Sequence, residues 1–115
     1  MKTITICRDD LCVADRVRVA DRFFTRFRGL MLRKRLAPGE GLLLTRCGSI
    51  HCCFMRFPID VVYLDEEMTV VGKETVRPWR LGGRFAGARH VLEVAAGVAE
   101  AARPGTHLTV KERDT

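Results

Sequence analysis

Ile59-Asp60-Val61-Val62-Tyr63-Leu64-Asp65-Glu66-Glu67-Met68-Thr69-Val70-Val71-Gly72-Lys73-Glu74-Thr75-Val76 is the stretch whose reading decides the fold. Its first six residues are dominated by β-branched and aromatic side chains, the composition of a strand. Phe57-Pro58 stands immediately before them. Proline lacks a backbone donor and has a fixed φ, so it belongs at a strand's beginning or on an edge. Asp65-Glu66-Glu67 reads as a turn, and Met68 to Val76 returns as the second arm of a hairpin. Because side chains alternate along a strand, Asp60, Val62 and Leu64 share one face while Ile59, Val61 and Tyr63 share the other.

Working outward, short strands recur on both sides. Thr3-Ile4-Thr5-Ile6 alternates, and Val13 with Val17-Arg18-Val19 forms a second strand interrupted by a turn or bulge at Asp15-Arg16. Asp21 suits a helix N-cap, and Phe23, Phe27, Leu30 and Met31 follow at helical spacing, which predicts a short amphipathic helix. Leu36 to Gly41 is a turn by composition, and Leu42-Leu43-Leu44 a short buried strand. Downstream of the hairpin, Arg77 to Arg84 reads as a glycine- and arginine-rich loop and His90 to Val94 as a strand. Gly97 to Ala102 is an alanine-rich helix stopped by Pro104-Gly105, and Thr106 to Lys111 a closing strand. The expected architecture is an α+β fold: a small β-rich domain of mostly antiparallel short strands, partly closed into a barrel, with two short helices. At 115 residues the chain is expected to form a single domain, 1–115.

Composition narrows the function classes. No apolar run reaches the ~18 residues of a membrane span. The N-terminal segment meets Arg8-Asp9-Asp10 before a signal-peptide core can form, so a cytoplasmic location without membrane partners is expected. The 5 cysteines have no paired spacing, as befits reduced thiols. A net charge of +6 raises nucleic acid as a partner, but the basic residues are dispersed and no nucleic-acid motif accompanies them. RNA binding therefore ranks last among the readings considered.

The densest chemistry lies in Ser49 to Asp60. His51, Cys52, Cys53 and Met55, with Cys47 upstream, are soft ligands of the kind that suit Cu(I) or zinc. Adjacent cysteines on a strand point to opposite faces and no second ligand pair follows, so neither a metal nor any other cofactor is expected. His51 and Cys53 share a strand face and could pair as base and nucleophile, with Asp60 orienting the imidazole; no oxyanion-hole signature accompanies them. Asp60 interrupts an apolar face and needs a partner. It is either a clasp to an arginine or to backbone, or one wall of a polar pocket. Arg77 and Trp79 could complete such a pocket, the guanidinium binding an anion and the indole stacking on the ligand.

Four blocks of sequence carry a family resemblance: Arg28-Gly29-Leu30-Met31; Glu40 to Leu44; His51 with Met55 to Asp65; and Val91 to Gly97. In this order they resemble the prokaryotic family known as domain of unknown function 192. The resemblance implies a small β-rich α+β fold and brings no established activity. It matches the family pattern at Arg28, Gly29, Met31, Met55, Pro58, Asp60, Leu92, Glu93 and Gly97. Cys52 and Cys53 depart from the pattern, which weakens both thiol and metal chemistry.

The leading expectation is a non-catalytic binding domain. A small anionic or polar ligand would sit in a cleft lined by Arg28, His51, Met55, Asp60, Arg77 and Trp79. A hydrolase-like enzyme using His51, Cys53 and Asp60, and a protein-interaction or structural adaptor, are the alternatives. Oligomeric state is not readable from these residues.

Overall fold

Among the described residues, seven strands form one sheet in the order β5-β4-β6-β3-β2-β1-β7. The structure is a computed structural model; residues 3–9, 11–20, 37, 39–46, 57–77, 83 and 85–112 are described. The strands are β1 (Thr3–Arg8), β2 (Leu11–Ala20), β3 (Glu40–Leu44), β4 (Ile59–Leu64), β5 (Val70–Val76), β6 (His90–Ala95) and β7 (Thr109–Glu112). All neighbours run antiparallel except β2 and β3, which are parallel with Arg16 opposite Glu40 and Val19 opposite Leu43.

The opening stretch folds as the β4–β5 hairpin, with Ile59 opposite Val76 and Tyr63 opposite Gly72. Its turn is held by Asp65, whose Oδ1 accepts the backbone N–H groups of Glu67 and Thr69, each at 2.9 Å. Short aspartates do this well because the side chain imitates a backbone carbonyl. The irregularity expected at Asp15-Arg16 is a bulge. Ile4 pairs with Val17 but Ile6 with Ala14, so β2 spends one more residue than β1 over that interval. A second shift follows before Cys7 meets Cys12.

The fold is a β-rich half-barrel, which corrects the α+β class with two short helices. Gly97 to Ala102 does not become an α-helix; the element there is a single 3-10 turn, Ala99–Ala101. The physical reason is length. Gly97 at φ 88° and the turn at Pro104-Gly105 leave too few residues to repay the cost of helix nucleation, so one tightened turn forms instead. The helix expected from Asp21 to Met31 lies outside the described residues. Among the described residues, no helix is long and apolar enough to cross a membrane.

The sheet curls until its ends meet. An isolated antiparallel bridge joins Thr69, just before β5, to His107, just before β7. The N–H of Val70 donates to the carbonyl of Thr106 at 2.8 Å, and that of Leu108 to the carbonyl of Met68 at 2.9 Å. The enclosed face gathers Ile6, Val17, Leu43, Val62, Leu92 and Leu108 among others, with Ala99 and Ala102 from the 3-10 turn region packed against them. The opposite face of the central strands carries a second apolar layer: Leu42, Leu44, Ile59, Val61, Tyr63, Val76 and Val91. β3, β4 and β6 are thus covered on both faces, which is why they read as near-continuous apolar runs.

Candidate functional site

Two carboxyl groups stand among the apolar positions of β4 and β6, and their surroundings differ. Asp60 is on the enclosed-face side of β4, at its open end and half-buried. Its Oδ1 accepts the Thr75 hydroxyl at 2.6 Å and its Oδ2 accepts the Gly97 backbone N–H at 2.8 Å. Thr75 is its cross-strand partner on β5, and Gly97 lies in the turn that leaves β6. Asp60 therefore ties the β4–β5 hairpin to the exit of β6. Each oxygen thus has one partner within the fold, the contacts a clasp to backbone and hydroxyl requires, and keeps a lone pair for a further donor.

Glu93 is on the other face of β6. Its register neighbours are Leu42 on β3 and Val61 on β4, both members of the second apolar layer. It is 4% exposed, the one buried residue among the described ones that is polar or charged. Its Oε1 has no hydrogen-bond partner among the described residues. Burial in this apolar setting disfavours the charged form and pushes its pKa up to about 8. At neutral pH such a carboxyl is mostly protonated, with an O–H to donate and lone pairs to accept.

The rest of that face is enclosed by aromatic packing. The Tyr63 and Phe85 rings lie 4.5 Å apart between centroids and tilted by 36°. Gly72, opposite Tyr63, makes this possible, since a Cβ there would fall within the Phe85 ring's own volume. The Tyr63 hydroxyl donates to Glu74 Oε2 at 2.7 Å, and the same oxygen accepts the Gly83 N–H at 2.6 Å. A buried phenol is thereby satisfied through a carboxylate at the sheet's edge.

Of the expected site residues, the structure places Asp60 and Arg77. Both belong to the same end of the β4–β5 hairpin, where Ile59 pairs with Val76 and Arg77 follows as an exposed residue. Arg28, His51, Cys53, Met55 and Trp79 lie outside the described residues. Glu93 is not among the expected site residues, yet the sequence carries its signal: a glutamate in the middle of Val91-Leu92-Glu93-Val94, where a strand covered on both faces has no room for a solvated charge. Among the described residues no three His, Cys, Asp or Glu side chains assemble into a metal-binding group.

Comparison with known proteins places the chain. The family model DUF192, described as "Uncharacterized ACR, COG1430", matches residues 4–110. The chain belongs to this family. Among DUF192-related sequences, it is 42% identical over 87 residues to a UPF0127 protein of Thermococcus sibiricus, covering 72% of this chain and 56% of that protein. The match to a UPF0127 protein of Pyrococcus abyssi is 40% over 89 residues, covering 72% of this chain and 74% of that protein. This chain thus spans little more than half the length of the Thermococcus relative. A crystal structure of a protein of unknown function from Novosphingobium aromaticivorans has a similar fold, with TM-score 0.80 at 21% identity over 93% of this chain and 83% of that one. A putative transcription regulator from Sinorhizobium meliloti is similar in fold too, with TM-score 0.75 at 20% identity over 95% and 92% of the two chains. At these identities both structures bear on the fold of this chain alone.

Proposed function

We propose that this DUF192 domain binds a small polar ligand, without chemical conversion, on the sheet face that carries Glu93. The observation behind this reading is the Glu93 carboxyl itself, 4% exposed, with one oxygen unpartnered among the described residues and apolar strands on either side. An unsatisfied buried carboxyl is unfavourable by a few kcal/mol, and proteins retain such groups where something else completes them. A mostly apolar surface with one or two polar groups that fix orientation is how ligand sites are commonly built.

The expectation of an anionic or polar ligand narrows accordingly. A carboxyl with no cation beside it among the described residues suits a ligand that brings a hydrogen-bond donor, such as an amide, alcohol or amine, over one that brings a second anion. Asp60 becomes a support for the site's edge, because both its oxygens are engaged within the fold. The same engagement weakens the hydrolase alternative, which needs Asp60 to orient His51. Arg28, His51, Met55, Arg77 and Trp79 remain proposed contributors to the same ligand.

A thermal-shift screen of neutral amides, alcohols, amines and carboxylates at pH 6 tests the proposal. At least one donor-bearing compound is expected to raise the melting temperature of the native chain while leaving Glu93→Leu unmoved. Alanine variants at Arg28, His51, Met55, Arg77 and Trp79 then show which of them share the site. If Glu93→Leu, shown folded by its circular dichroism, responds to the same compounds as the native chain, the reading is wrong.

A further inference from the structure

At the opposite side of the sheet, the β1–β2 hairpin brings two thiols together. Cys7 on β1 and Cys12 on β2 are direct cross-strand partners. The strands are joined by Asp9-Asp10, with Asp9 at φ 52°, and Arg8 pairs with Leu11. A two-residue hairpin turn closes on a hydrogen-bonded pair, so the next pair out is of the non-hydrogen-bonded kind, whose side chains approach most closely. Cα atoms in either kind of antiparallel pair are about 4.5–5.5 Å apart, within the span a disulfide bridges. The Cys7 thiol is near enough to Cys12 to help hold the Cys12 pKa up. Cys7 is buried at 6% exposure, whereas Cys12 is open to solvent.

We propose that Cys7 and Cys12 are an oxidative modification site, a cross-strand dithiol that a small-molecule disulfide converts reversibly to a disulfide within the hairpin. The exposed Cys12 reacts first. Its thiolate attacks one sulfur of the reagent RSSR, forming Cys12–S–S–R and releasing RS⁻, which takes up the proton that Cys12 lost. The Cys7 sulfur then gives up its proton and attacks the Cys12 sulfur, expelling the second RS⁻, which becomes RSH. One RSSR is reduced to two RSH as two thiols become one disulfide. The buried member acts as the resolving thiol and is reached only through its partner.

Placement, not acidity, is what distinguishes this pair. Burial raises the pKa of Cys12, with Cys7 and Asp15 adding to the rise and Lys111 opposing it. Cys12 is therefore a slower first nucleophile than an activated thiol. The second step is intramolecular between residues already in register, so the mixed disulfide is short-lived. The bond would fasten β1 to β2, the strand that delivers Val13, Ala14 and Val17 to the enclosed core.

The sequence supplies a clean readout. Trypsin cleaves after Arg8 and Arg16, so Cys7 and Cys12 leave in separate peptides, TITICR and DDLCVADR, that only a disulfide can hold together. The folded full-length chain is treated with oxidised glutathione, quenched in acid, alkylated and digested for mass spectrometry. The joined peptide is expected to be the main oxidised species containing Cys12, and to disappear on treatment with dithiothreitol. Cys7→Ser should trap the glutathione adduct on Cys12, and Cys12→Ser should leave Cys7 unreacted. A stable adduct on Cys12 of the native chain, or Cys12 joined chiefly to Cys47, Cys52 or Cys53, would overturn the proposal.

Discussion

Asp60 and Glu93 sit on adjacent strands one position out of register, since Asp60 pairs with Val94 and Glu93 with Val61. They point to opposite faces, and the fold provides for them differently. Asp60 stands at the open end of the enclosed face, where a hydroxyl and a backbone N–H take one oxygen each. Glu93 stands mid-sheet between Leu42 and Val61, and among the described residues it is burial that raises its pKa. An acid on an apolar strand is thus no single signal. What it meets across the strand and at the strand's end determines whether it braces the fold or stays available.

The largest effect that can break this comparison is the pH dependence of stability through Glu93. An acid whose folded-state pKa is raised holds its proton more tightly folded than unfolded. Its contribution is intact below the unfolded value near 4.5, and stability falls as pH rises from there to about 8. The full difference is on the order of 5 kcal/mol at pH 8 and above, taking ~1.4 kcal/mol per pKa unit. Glu93→Gln cannot ionise, so its stability is expected to gain on that of the native chain steadily between pH 5 and pH 8. Urea unfolding of both proteins across that range measures the gap. Parallel curves would mean that Glu93 is paired with a cation, and the contrast with Asp60 would collapse.

A smaller effect is expected at Asp60. Two hydrogen bonds to a carboxylate are lost in Asp60→Ala, but the group is half-exposed and water takes over part of the role, so the loss is about 1–2 kcal/mol at pH 7. Thr75→Val removes one of the two bonds and should cost less. Because they share that bond, the double variant should be destabilised by less than the two single variants together. Additive losses in urea unfolding would show that Thr75 and Asp60 act independently and that the clasp runs through Gly97 alone.

The sheet was legible because its signal is local. Alternation in Thr3-Ile4-Thr5-Ile6 and in the β4–β5 hairpin needs only side-chain period and turn chemistry, and both arms of that hairpin fell where the composition put them. The parallel pairing of β2 with β3 was not legible, because it depends on a long crossover and not on either strand's pattern. The helix expected at Gly97 to Ala102 failed because alanine content measures propensity, whereas length and flanking turns decide whether a helix nucleates. At the candidate site, Asp60 attracted notice by breaking an apolar face. Glu93 breaks one as plainly, between Leu92 and Val94. The facing of Cys7 and Cys12 is set by the tight turn between Arg8 and Leu11, which no cysteine-spacing pattern reveals.

The smallest effect expected sharpens the same contrast from the basic side. His90 opens the strand that carries Glu93, and its Nδ1 accepts the backbone N–H of Arg46 at 3.1 Å. That bond requires an unprotonated Nδ1. Burial lowers the pKa of His90 and Arg89 lowers it further, while Glu66 and Asp65 act against them. A base with a depressed folded-state pKa contributes fully above its unfolded value, about 6.5, and loses that contribution as pH falls below it. Its slope is therefore opposite in sign to that of Glu93. His90 is half-exposed, so screening keeps the loss shallow. His90→Asn keeps an acceptor near the Nδ1 position but does not titrate, so the native chain should lose stability relative to it between pH 7 and pH 5. No such loss, with an imidazole titrating at its ordinary value by NMR, would show that His90 does not need its neutral form. β6 would then show no loss on the acid side, and its stability would vary with pH through Glu93 alone, falling as pH rises.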